Sequence, residues 1–376
     1  MEFVQEKPNK SVYKTFFIYF VTILLFIAIR IISSLGVFKT LSNNAVDLIY
    51  TTLIEVVCLF VFPMILYCLM IKVKPKQVFK TCNFTRLNAR SIIISVAIGC
   101  IVYFITIMLS SFFNGIIQFL GYHPANSSSN SITTIDYLVQ ILTTALLPAF
   151  CEEFLHRGLL LQGTKHIGFH KAIFISGILF GLIHLNITQV FYAATLGIII
   201  GYISVISKNI WPAIIIHFMN NFLSITNSYL LYNNKAYANF INTFYSWIGS
   251  HGLIFAGLLS AIFVIIILVL LYILVSRLYA NTLIRKTEKA IREAYTKDGV
   301  ALIDGPISIK NHEIREAIES TTNLNLDFDS VKNPIEILMP VQKNVYLMNY
   351  KDKIFMKASF ILCSIVTLFT LIWGYM

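Results

Sequence analysis

The sequence predicts an all-α polytopic membrane protein, with about nine transmembrane helices and a small cytoplasmic insert before the last. Three observations carry that expectation. Hydrophobic residues make up 57% of the 376 and charged residues only 12%, well above and about half of the usual soluble shares. Apolar runs long enough to cross a bilayer, about 20 residues each, recur along the chain. The cations gather in short loops beside those runs, as membrane topology requires.

Taken in order, spans are expected near 15–37, 48–71, 91–120, 137–161, 171–187, 189–207, 210–231, 251–277 and 356–375. The apolar run after "MEFVQEKPNKSVYK" is too long for a signal-peptide core and lacks a small-residue cleavage site after it. It is therefore expected to be a retained first span. The loop 72–90 carries Lys72, Lys74, Lys76, Lys80, Arg86 and Arg90, whereas 38–47 carries only Lys39 and 121–136 carries no lysine or arginine. The basic loop is therefore predicted to be cytoplasmic, with the N-terminus, the turn at 207–209 and the segment after Arg277 on the same side. Pro63, Pro148 and Pro212 are expected to kink or start helices.

The expected organisation is N-terminal helices over 1–136, a helix core over 137–231 that holds the polar motifs described below and an additional transmembrane helix within 232–277. A cytoplasmic mixed α/β insert over 278–355 and a final helix over 356–376 complete it. In the insert, "YANTLIRKTEKAIREAYTKDG" is expected to continue the eighth helix into water and stop at Gly299. Short β-like runs and the helical "HEIREAIEST" follow.

The formal charge of +11 is accounted for by the topology loops, and no interleaved basic and aromatic patch points to nucleic acid. Of the six cysteines, none pairs with another at metal-ligand spacing, and all are expected to be small apolar side chains.

Ionisable groups at bilayer depth cost roughly 2.5–3.5 kcal/mol each on insertion scales, so they persist where they pair or work. "AFCEEFLHRG", residues 149–158, is the densest case. Glu153 and Arg157 are four apart, share a helix face and can pair, which is the structural reading of both. Glu152 points about 100° away round the helix and is left over as a candidate general base. "FGLIHLN" places Phe180 and His184 four apart on the fifth span, and "IIHFMNN" places His217 and Asn221 four apart on the seventh. A single buried histidine is more often a hydrogen-bonded core residue than a ligand. Three spans each pointing a polar cluster inward weaken that explanation. Gly177 with Gly181 and Gly197 with Gly201 are small-xxx-small pairs that let helix backbones approach closely. His156 is expected at the cytoplasmic edge without a role, and His166 and His170 in a loop. Arg30 and Glu55 are further charges at membrane depth, either paired with each other or, for Glu55, lining the cavity.

The ordered set E-E-x-x-x-R, F-x-x-x-H and H-x-x-x-N resembles the CPBP group, the CAAX proteases and bacteriocin-processing enzymes also called Abi proteins. It is carried by Glu152-Glu153-Phe154-Leu155-His156-Arg157, Phe180 to His184, and His217 to Asn221. The resemblance covers roughly 137–231 and leaves out the first three spans and 278–376. It implies an intramembrane endopeptidase in which Glu152 with His184 activates water and His217 with Asn221 steadies the oxyanion. Glu153 would stand with Glu152 in the catalytic motif, while Arg157 and Phe180 orient it. The group is often described as metalloproteases, and a non-metal glutamate mechanism has also been argued. His184, His217 and a glutamate could hold zinc, yet no H-E-x-x-H helix is present, so a zinc cofactor and a metal-free site are both open. Loss of activity in a chelator, restored by zinc, would decide for the metal; indifference to chelators would remove it.

The partners so implied are a peptide or protein substrate in the membrane and the lipid bilayer. Heavy use of Ile, Asn, Lys and Phe hints at an AT-rich bacterial genome and hence a bacterial plasma membrane. That favours a bacteriocin or pheromone precursor or a propeptide over a prenylated CAAX tail. Two other readings use the same buried groups. A transporter or proton pathway would lose flux in Glu152→Gln while cutting nothing, and it expects inverted repeats that are not found. A non-catalytic bacteriocin-immunity protein would still protect its host after Glu152→Ala.

Overall fold

In the computed structural model, the described residues are 10–35, 43–122, 132–294, 296–297, 300–301 and 348–375. They form an all-α membrane protein in which each expected span is a helix. In lipid a backbone must satisfy its own polar groups, which leaves the helix as the form these apolar runs can take.

Helix α1 is Lys10–Ser34. Helix α2 is continuous through Asn43–Thr51, a wide π-helical stretch Thr52–Val61 and Phe62–Ile71. Pro63 follows the π stretch, where a local widening accommodates the missing N–H. The short α3 (Pro75–Thr81) lies in the basic loop, and α4 is Ala89–Phe119. Asn88 caps α4 by accepting from the Ser91 amide at 3.0 Å.

Helix α5 covers 134–164 and alternates regular turns with π stretches at Ile141–Leu146 and Phe154–Leu161. A reciprocal cap between Thr133 and Asp136 starts it. Helices α6 (Phe169–Leu182), α7 (Ile187–Ser207) and α8 (Trp211–Asn233) follow through short connections. Next come α9 (Lys235–Ser250), α10 (Gly252–Ala294) and α11 (Tyr350–Tyr375). The last packs on α1 through Phe355 among Tyr13, Phe17 and Phe20.

Among the described residues, six helices are long and apolar enough to cross a membrane, fewer than the nine expected. Helix α6 has 14 residues and rises about 21 Å, short of the roughly 30 Å hydrocarbon thickness. It turns back into α7 at Leu185, which adopts a left-handed φ of 52°. Helix α8 is long enough, but His217, Asn220, Asn221, Ser224 and Asn227 dilute its apolar character.

The α6–α7 hairpin is held at backbone contact by its glycines. A Cβ on Gly177 would come within 2.8 Å of the Ile198 nitrogen, and one on Gly181 within 2.5 Å of the Val190 oxygen. The core sits where α5, α6 and α7 meet α1, α2, α4 and α8.

Helix α10 ends at Ala294, before the expected stop at Gly299, and a two-residue antiparallel pair joins Thr296–Lys297 to Val300–Ala301. The rest of the expected α/β insert, including "HEIREAIEST" and the β-like runs after it, lies outside the described residues.

Candidate active site

Helix α5 brings Glu152, Glu153, His156 and Arg157 to the point where α6, α7 and α8 converge. Arg157 and Glu153 are both fully buried, with Nη1 donating to Oε1 at 2.9 Å. Such a buried pair needs further hydrogen bonds to offset its desolvation. Arg157 Nη2 donates to the Gly197 carbonyl at 2.7 Å, a reach that depends on the close α6–α7 approach. The guanidinium also lies over the Phe180 ring, 4.5 Å from its centroid.

Glu153 does more than pair with arginine. Its Oε1 also accepts from His217 Nδ1 at 2.9 Å, so one carboxylate oxygen braces α5 against α8. His184 Nδ1 lies 2.9 Å from the Phe180 carbonyl. A carbonyl and a carboxylate only accept, so both imidazoles carry their proton on Nδ1 and turn Nε2 outward. No described residue hydrogen-bonds to either Nε2.

Phe180 is the hub of the cluster. Its ring stands edge-on to His156, His184 and His217, at centroid distances of 5.1, 5.4 and 5.4 Å. The motif phenylalanine thus fixes three imidazoles and the arginine by packing alone. From the sequence its only visible property was helical spacing from His184.

Glu152 is half-buried, and its Oε2 is shielded from solvent with no hydrogen-bond partner among the described residues. A carboxylate oxygen so placed can still accept a hydrogen bond. Asn221 sits one turn beyond His217, and its amide donates to the Thr144 carbonyl at 2.9 Å. Its Oδ1 accepts from Asn220, whose own Oδ1 accepts from Thr106. This chain of amides ties α4, α8 and α5 beside the imidazoles.

His156 corrects the expectation that placed it at the cytoplasmic edge. It is 0% exposed, with Nδ1 2.8 Å from the Glu152 carbonyl and Nε2 3.1 Å from the Tyr19 hydroxyl. Ser176 donates to its backbone carbonyl at 3.0 Å. The π stretch turns this side chain inward, and Tyr19 of α1 supplies the partner. Sequence reasoning had no means of pairing residues 137 positions apart. Arg30 donates to the His184 carbonyl at 3.2 Å, which leaves the option of a cavity-lining Glu55 standing.

Among the described residues, no three His, Cys, Asp or Glu side chains come together as a metal ligand set. Two imidazoles with open Nε2 atoms are present, but among the described residues no third donor converges on them as a catalytic zinc site, with three protein ligands, requires. The residues as arranged do not fit the zinc that the sequence left open.

Residues 134–223 match the model of the Rce1-like family, described as type II CAAX prenyl endopeptidase Rce1-like. No curated protein and no solved structure matches significantly. The matched segment contains Glu152, Glu153, Arg157, Phe180, His184, His217 and Asn221, and over it the chain is similar to the type II CAAX prenyl endopeptidases.

Proposed function

We propose that this membrane-embedded CAAX-type core hydrolyses a peptide bond by glutamate-activated water, with the residues in the following roles. Glu152 accepts a proton from water as the water oxygen bonds to the scissile carbonyl carbon. The carbonyl π pair moves onto oxygen, and the proton returns to the departing nitrogen as the C–N bond breaks. His184 holds the water through Nε2, which its Nδ1 contact with Phe180 keeps turned outward. His217 and Asn221 face the developing oxyanion. When His217 Nε2 carries a proton, Glu153 at Nδ1 balances the charge, while Arg157 holds Glu153.

The observation that carries this reading is the pairing of opposites on adjacent residues. Glu153 Oε1 accepts two strong hydrogen bonds while its Oε2 stays without a partner, whereas no hydrogen bond from a described residue holds Glu152 Oε2. One carboxylate is structural and the other is spare.

The substrate in this reading is a peptide held at the membrane interface, such as a bacteriocin or pheromone precursor or a propeptide. The site opens towards the cytoplasmic side, which also carries the N-terminus and the 278–355 segment, in a bacterial plasma membrane. The test is purified protein in lipid nanodiscs with a panel of precursor peptides, comparing wild type with Glu152→Ala and His184→Ala. Cleavage by wild type and its loss in both variants is expected. Cleavage that survives Glu152→Ala would remove the proposed base.

A further inference from the structure

Glu55 lies on α2, outside the segment that matches the protease family. It is 7% exposed and sits in the π stretch Thr52–Val61, which packs against the Leu147–Glu153 part of α5. Local π widenings cost helix regularity and occur often at functional sites. Glu55 Oε2 and Glu152 Oε2 are both buried without a hydrogen-bond partner among the described residues. The two side chains also stand within electrostatic reach of each other.

The cations on this side of the protein are already engaged. Arg157 is held by Glu153 and the Gly197 carbonyl, and Arg30 by the His184 carbonyl and the Phe26 ring. Two neighbouring carboxylates in a water-poor place repel when both are ionised. One proton held between them removes that repulsion and gives an orphaned oxygen a partner.

We propose that Glu55 is a positioning residue of the candidate active site, its protonated carboxyl donating a hydrogen bond to Glu152. The bond takes up Oε2 of Glu152 and turns its other oxygen to the attacking water. Glu55 neither touches substrate nor gives up its proton in the cycle. This assignment rests on the reading of Glu152 as the base, and it extends the site to a helix outside the matched segment.

Two measurements test it separately from that reading. A hydrophobic carbodiimide reacts with protonated carboxyl groups in apolar surroundings, so the detergent-purified protein should form an N-acylurea at Glu55, located by mass spectrometry. That label needs no catalysis, and its absence at Glu55 overturns the proposal even in an inactive preparation. In peptide cleavage, Glu55→Leu should lower kcat by roughly 10- to 100-fold with KM unchanged. Glu55→Gln, which keeps a donor, should recover most of that rate. An unchanged kcat in folded Glu55→Leu would mean that the side chain only fills space, and it would overturn the assignment. If Glu55→Leu does not fold, a Glu55→Gln kcat as low as that of Glu152→Ala does so instead. Survival of activity in Glu152→Ala sinks the base reading while the carbodiimide result still reports on Glu55.

Discussion

Helices α5 and α10 are both long and membrane-embedded, yet they meet opposite surroundings. In the most apolar window of α10 only 6% of residues are buried inside the protein, against 44% for α5. The more hydrophobic helix is therefore the more exposed one, because lipid is as good a solvent for leucine as other leucines are. The helix with glutamates, histidine and arginine is the one enclosed, because those groups need protein partners at bilayer depth. Helix α10 touches the bundle mainly along α4, where Asn281 donates to Asn88 at 3.0 Å and to Ser91. Between these two helices burial follows polarity.

The sharpest way to break that contrast is to remove the spare carboxylate of α5. Glu152→Gln should lower peptide cleavage by about 10²- to 10⁴-fold with an unchanged melting transition in detergent. Any substitution of an exposed α10 residue should leave the rate alone, and a rate loss there would erase the division of labour.

Second comes the brace. Arg157→Met leaves the fully buried Glu153 with only His217. It should destabilise the fold by about 3–5 kcal/mol, read from reversible unfolding in mixed micelles. The double variant Arg157→Met with Glu153→Leu should recover part of that loss, since neither charge is then left alone.

The close contact of α6 with α7 is the third lever. A side chain at Gly197 would meet the Gly177 oxygen at 2.9 Å and Arg157 Nη2 at 3.2 Å. Gly197→Leu should therefore cost about 1–3 kcal/mol from overpacking and disturb the arginine. Gly257 on α10 has open space around it, and Gly257→Ala is expected to be neutral or slightly stabilising. The smallest effect sharpens the same comparison. Leu268→Ala, at 53% exposure, should change stability by no more than about 0.5 kcal/mol.

Much of this arrangement could be read from order and spacing. The nine apolar runs are nine helices among the described residues, and the four-residue interval of Glu153 and Arg157 does yield a contact. The glycine intervals of α6 and α7 do mark a backbone approach. Spacing along one helix says nothing about which neighbour a side chain meets, and there the reading stopped. His156 looked peripheral because only its distance from a helix end was visible. Its Tyr19 partner arrives from the other end of the chain. Glu55 stood out as a charge at depth, but its expected partner Arg30 donates to the His184 carbonyl instead. The expected length of α6 exceeds the observed one because Ile183 and Leu185 carry apolar letters past its last residue, Leu182, into the turn.

Composition and periodicity fix where the chain must be helical and which residues lipid would reject, since both follow from transfer energies that act locally. Which of two adjacent glutamates is spoken for is settled across helices. It depends on where His217, Gly197 and Phe180 arrive when the bundle closes, and there Glu153 Oε1 receives both Arg157 and His217 at 2.9 Å.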